Sequence, residues 1–90
     1  MRFDWDDENI DHVALHTVEP DEVEEAFEDP GRVVREAYNT PMERRRGIVG
    51  VTRDGRLLTV IYTIRRGMIR VISAWDADER DARRYRRRRR

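Results

Sequence analysis

The fold is decided by residues 43–75, ERRRGIVGVTRDGRLLTVIYTIRRGMIRVISAW. Asp54-Gly55 separates a β-rich run at 47–52 from another at 57–64, and Arg66-Gly67 separates the second from a third at 68–75. Glycine in a short loop supplies the positive φ that tight hairpins require, so the stretch reads as a three-stranded antiparallel meander. Val, Ile, Thr and Tyr fill its middle, as a pleated, half-buried surface favours. Arginines lie in and beside it, among them Arg44, Arg45, Arg46, Arg56, Arg65, Arg66 and Arg70. An apolar sheet with a cationic margin can serve as scaffold and anion site at once.

Working outward, residues 32–38 (RVVREAY) alternate weakly and add a possible fourth strand before the loop Asn39-Thr40-Pro41. Upstream, Ile10, Val13 and Ala14 fall at helical spacing, with Asp6, Asp7 and Glu8 in the first turn where carboxylates meet the positive end of the dipole. Pro20 opens a second helix with the apolar stripe Val23, Ala26 and Phe27, and Asp29-Pro30-Gly31 ends it. Downstream, Asp76, Asp78 and Glu79 signal a helix start near Ala77, with Ala82 and Tyr85 facing inward. Residues 86–90 form a pure arginine tail, expected to fray. The expected class is α+β in one domain over residues 1–90: two N-terminal helices, an antiparallel meander of three to four strands and a C-terminal helix.

The chain has 90 residues, no cysteine and a net charge of zero. Thiolate metal sites and disulfides are therefore excluded. No apolar run approaches the roughly 18 residues that cross a bilayer, and no signal-peptide core follows Met1, so a cytoplasmic protein is expected. The zero conceals an asymmetry: −11 over residues 1–30, +7 over 31–75 and +4 over 76–90. All nineteen basic residues are arginine, each a planar fork suited to phosphate. Such polarity suggests an anionic partner for the basic part.

Register decides which arginines face together, because one residue of slip reverses every face. With a two-residue first loop, Arg44 and Arg46 share a face with Thr63, Arg65 and Arg70. With a three-residue loop at 53–55 and Gly55 left-handed, Arg45 lies opposite Thr63 and Glu43 opposite Arg65. Arg66-Gly67 as the second loop then sets Thr63 opposite Arg70. The second arrangement is preferred, because it gathers a carboxylate, a hydroxyl and two guanidiniums in one patch. Such a patch can neutralise a phosphate and stabilise a phosphorane-like transition state. The competing interpretation is a row of surface ion pairs, which contribute little.

His12 and His16 lie four apart on the first helix, but no third ligand has a recognisable spacing, and no metal site is expected. His16, near the helix terminus, is the candidate acid, base or phosphate partner.

Several strings together are similar to one family. Residues 3–30, FDWDDENIDHVALHTVEPDEVEEAFEDP, resemble the opening of BrnT-type toxins, where a Trp-Asp start leads to a helix ending in His-Gly-Val and an acidic helix closes on Asp-Pro. The Glu43/Arg45 pair, Ile48-Val49-Gly50, Asp54-Gly55-Arg56, the run IRVISA at 69–74, and Arg83, Arg84 and Tyr85 follow in the family's order. The resemblance implies a RelE-like fold and an endoribonuclease toxin of a type II toxin–antitoxin pair, held inactive by a BrnA-like antitoxin that brings the DNA-binding half. It implies metal-independent RNA cleavage by 2′-hydroxyl attack, without a cofactor and without a membrane partner.

Carried over by position, His16, Glu43, Arg45 and Arg70 are the expected catalytic residues. Arg44, Arg46, Arg56, Thr63, Arg65 and Trp75 are the expected RNA contacts, Trp75 through stacking on a base or else as a core anchor. Thr17 stands where the family usually has Gly, Leu15 where Lys or Arg is frequent, and Trp75 where Arg or Lys commonly follows Ser-Ala. These departures leave two alternatives: a BrnT-like binding module without catalysis, and a basic nucleic-acid-binding protein using the sheet and the arginine tail.

Overall fold

The computed structural model describes residues 1–88. Three helices, α1 (Asp7–Ala14), α2 (Pro20–Glu28) and α3 (Glu79–Arg87), pack on four strands, β1 (Val33–Arg35), β2 (Arg46–Val51), β3 (Leu57–Arg65) and β4 (Met68–Asp76). The strands form one antiparallel sheet in the order β1-β2-β3-β4. This is the expected α+β meander, compatible with the RelE-like architecture that the resemblance implies.

Both hairpin loops follow from their residues. Val51 pairs with Leu57, the Thr52 N–H donates to the Arg56 carbonyl, and Gly55 holds φ +87°, so the first loop is the three-residue one. Arg65 pairs with Met68 around Arg66 (φ +56°) and Gly67 (φ +75°). Two consecutive positive φ values make this a type I′ turn, whose twist matches the flanking strands.

The core lies between the sheet and the first two helices: Val13 and Val18, then Val23, Ala26 and Phe27 of α2, against Ile48, Leu58, Val60, Val71 and Ala74. The α2 stripe is the expected one. Gly50 lets α2 sit close to β2, since an added methyl group would fall on the Ala26 carbonyl oxygen. Phe3 bridges in parallel to Ile69, so the N-terminal segment lies along the β4 edge and its ring packs edge-on to Phe27.

Three details differ from the expectation. The α1 face turned inward carries Asn9 and Val13, whereas Ile10 and Ala14 are exposed. Asn9 is buried because every polar group it brings is satisfied. Its Nδ2 donates to the carbonyls of Asp4 and Val71, and its Oδ1 accepts from the Asp6 N–H. β1 is only three residues long, and Tyr38 stands almost fully exposed beyond it. α3 begins at Glu79 on the Asp78 cap and turns Asp81 inward, where the carboxylate accepts from Thr59 Oγ1 (2.8 Å) and from Arg35 Nε (3.0 Å). Of the expected arginine tail, Arg86 and Arg87 belong to α3, Arg88 stacks on the Tyr85 ring at 3.8 Å, and residues 89–90 lie outside the described residues. No helix among the described residues is long and apolar enough to cross a membrane.

Candidate active site

The hairpins dictate the site. The β3–β4 turn sets Thr63 opposite Arg70, and the three-residue loop sets Arg46 opposite Tyr62. The paired ladder stops at Arg46; beyond it the Arg45 N–H donates to Asn39 Oδ1 and the Thr63 hydroxyl to the Arg44 carbonyl, so the Arg45–Thr63 pairing preferred from sequence falls past the end of β2. Farther from the turn, a β-bulge changes the pairing: Tyr62 faces Val71 but Ile61 faces Ser73, leaving Ile72 as the extra residue.

A surface cavity of about 290 Å³ opens where α1 crosses the β4 edge. Its walls are Glu8, Asn9 and His12 of α1, Glu43 before β2, Arg65 of β3, and Arg70, Val71 and Ile72 of β4. Glu43 accepts from Arg45 Nε at 3.2 Å, and both side chains are about one-third exposed. Arg45 is thus tied to the cavity through Glu43. A second depression of about 320 Å³ adjoins the first, sharing Glu43 and Arg65 and continuing over Met42, Arg44, Arg46, Thr63 and Ile64. Together they form a cationic surface along one sheet margin.

Arg70 is the most enclosed cation of this surface, its side chain only 10% exposed. It meets three carboxylates of the N-terminal segment: Asp6 at 3.0 Å, Glu8 at 3.1 Å and Asp4 at 3.5 Å. The hydrogen bond from Arg70 is the main reason the Asp6 carboxyl sits below its ordinary range, helped by the Asn9 N–H. In return, the Asp6 hydrogen bond raises Arg70 above its ordinary value against the effect of burial. An anion entering the cavity must compete with these acids. Glu8 is the easiest to displace, its side chain being 85% exposed.

The structure divides the expected site residues into two groups. Glu43 and Arg70 line the cavity, Arg45 joins it through Glu43, and Arg44, Arg46, Thr63 and Arg65 line the adjoining depression. Thr63 is buried, and its hydroxyl is engaged with the Arg44 carbonyl at 2.8 Å. His16, Arg56 and Trp75 gather elsewhere, at the end of the sheet near the α1–α2 junction. The His16 ring lies 6.1 Å from the Trp75 ring, and the Arg35 guanidinium lies 5.8 Å from it. Arg56 donates to Asp76 (2.7 Å), the Thr17 carbonyl (2.7 Å), Glu22 (3.0 Å) and the His16 carbonyl (3.2 Å). Its hydrogen bond to Asp76 lowers that carboxyl and raises the guanidinium. This network fastens the turn after α1 to the sheet. Thr17 holds φ +59° within that turn, a left-handed conformation that glycine adopts more readily than a β-branched residue.

Sequence reasoning weighed His12 only as a metal ligand and Glu8 only as a first-turn carboxylate of α1. Their i, i+4 spacing beside the buried Asn9 was the available signal. Once Asn9 rather than Ile10 is recognised as inward, Glu8 and His12 share the flank that overlooks Arg70. No group of three or more His, Asp or Glu side chains among the described residues is arranged to hold a metal ion.

Fold and cavity define a class: a small α+β domain that gathers carboxylates and guanidiniums at one margin of an antiparallel meander. The model of one family, the ribonuclease toxins BrnT of type II toxin–antitoxin systems, matches residues 5–81. The chain belongs to that family. No curated protein matches the sequence.

Proposed function

We infer that this chain is an endoribonuclease that cuts RNA in the cytoplasm without a metal or other cofactor and is silenced by a BrnA-like antitoxin, which alone contacts DNA. Family membership supplies the type II ribonuclease-toxin class. The observation that carries the finer reading is the cavity that brings Glu43, with Arg45 attached, to the same walls as Arg70. In this reading a phosphodiester displaces Glu8 and takes its place on Arg70. Arg45 and Arg70 stabilise the charge that grows on the phosphoryl oxygens, and Glu43 takes the proton of the attacking 2′-hydroxyl. Arg44, Arg46 and Arg65 carry the flanking backbone along the adjoining depression, so binding weakens as salt rises.

The test uses antitoxin-free protein and a mixed-sequence RNA in the presence of a chelator. Wild-type protein is expected to cut. Arg45→Ala, at a position about one-third exposed, is expected to lose about 10²–10³-fold in rate if it stabilises the transition state. RNA left intact across a wide pH range contradicts the proposal. The alternative of a non-catalytic binding module draws on one observation, the saturation of Arg70 by the chain's own carboxylates. It predicts RNA binding without cleavage.

A further inference from the structure

The walls of the cavity contain one group that the proposed chemistry has not used. Cleavage by a 2′-hydroxyl needs two proton transfers. The O2′–H bond breaks as O2′ bonds to phosphorus, and the P–O5′ bond breaks as the departing 5′-oxygen takes up a proton. Glu43 can accept the first proton. The guanidiniums of Arg65 and Arg70 cannot supply the second, since arginine does not give up its proton in proteins. Glu8 and His12 are the remaining titratable side chains on the walls, and of the two the imidazole is the one suited to giving up a proton near neutral pH.

The fold places His12 deliberately. Val13 is fully buried and Asn9 nearly so, which fixes the rotation of α1. The Asn9 bond to the Val71 carbonyl (3.1 Å) pins the helix to β4 next to Arg70. His12 follows Glu8 by four residues, so it stands one turn along the same flank, exposed and on the cavity wall. His16, by contrast, lies beyond the end of α1 against Trp75. An imidazole is also the side chain best matched to proton transfer near neutral pH.

Resting on the ribonuclease reading above, we propose that His12 is the catalytic acid that protonates the departing 5′-oxygen. The balanced step moves the 2′ proton to the Glu43 carboxylate and forms the O2′–P bond. It breaks P–O5′ and moves the proton of the His12 imidazolium to O5′. The products are a 2′,3′-cyclic phosphate and a 5′-hydroxyl, and both side chains then exchange protons with water.

The experiment compares a short RNA that the protein cuts with the same RNA carrying sulfur in place of the bridging 5′-oxygen at the cut position. A thiolate leaves without needing a proton. His12→Ala and His12→Gln, both at an exposed position, are expected to slow cleavage of the oxygen substrate by about 10²–10⁴-fold, the usual contribution of a general acid. Both variants should cut the sulfur substrate at close to the wild-type rate. Equal loss on the two substrates, or no loss on either, overturns the assignment of His12 while leaving the ribonuclease reading intact. If wild-type protein cuts no RNA, the ribonuclease reading itself falls and the acid falls with it.

Discussion

Replacing Arg70 by Met keeps most of the side-chain volume and removes the charge that three carboxylates share. The loss is best judged from the geometry. The guanidinium is 10% exposed and makes ion pairs at 3.0, 3.1 and 3.5 Å. A hydrogen bond to a charged group contributes about 1.5–3 kcal/mol in protected settings, whereas exposed ion pairs contribute well under 1 kcal/mol. Asp6 and Glu8 reach water but Asp4 is only 26% exposed, so the mixed environment places the net loss near 2 kcal/mol. For a domain of this size each kcal/mol moves Tm by about 4–8 °C, giving a drop of roughly 8–16 °C at neutral pH.

The pH dependence adds a signature. Asp6 in the folded protein is depressed below its ordinary value of 3.8, chiefly by the Arg70 hydrogen bond. A depressed carboxyl stabilises the fold above its unfolded value, and that contribution fades as pH falls from there through the folded value. Circular dichroism melts of wild type and Arg70→Met should therefore differ most at neutral pH and converge as pH falls from 3.8 through the lowered folded value of Asp6. Equal Tm values at neutral pH, or a gap that does not narrow with acid, would refute the account of Arg70 as a charge held by its own acids.

Other consequences follow from single positions. Glu8→Gln removes the most exposed of the three competitors for Arg70, so a non-cleavable RNA should bind roughly three- to tenfold more tightly, as measured by fluorescence anisotropy at fixed salt. Gly50→Ala drives a methyl group against the Ala26 carbonyl and should destabilise the protein by about 1–3 kcal/mol in urea unfolding, since β2 and α2 must separate. Thr17→Gly relieves a β-branched residue at φ +59° and should raise stability by about 1 kcal/mol in the same assay. A neutral or destabilising result there would mean that Thr17 repays its strain through contacts of its side chain.

The sheet was legible because its turns are local. Asp54-Gly55 and Arg66-Gly67 place positive φ within a few residues, and the register of the adjacent pairs follows from loop length alone. The β-bulge beyond Tyr62 was not legible, since nothing in IRVISA marks Ile72 as an extra residue. The face of α1 was misjudged for a related reason. Ile10 outranks Asn9 on hydrophobicity, but Asn9 wins burial through three hydrogen bonds, two of them to the carbonyls of Asp4 and Val71. That rotation brings His12 to the cavity. Arginine pairing was invisible for a third reason: Arg56 and Arg70 find their acids across 20 to 66 residues, a tertiary choice that charge counts cannot foresee.

The central claim is that RNA is held between α1 and the β4 edge. It is tested most directly by recording amide NMR shifts while a non-cleavable RNA, with 2′-deoxyribose at the cut position, is added to the protein. The account predicts the largest changes at Glu8, Asn9, His12, Glu43, Arg65 and Arg70, around the cavity. Changes centred instead on His16, Arg56 and Trp75 would contradict it.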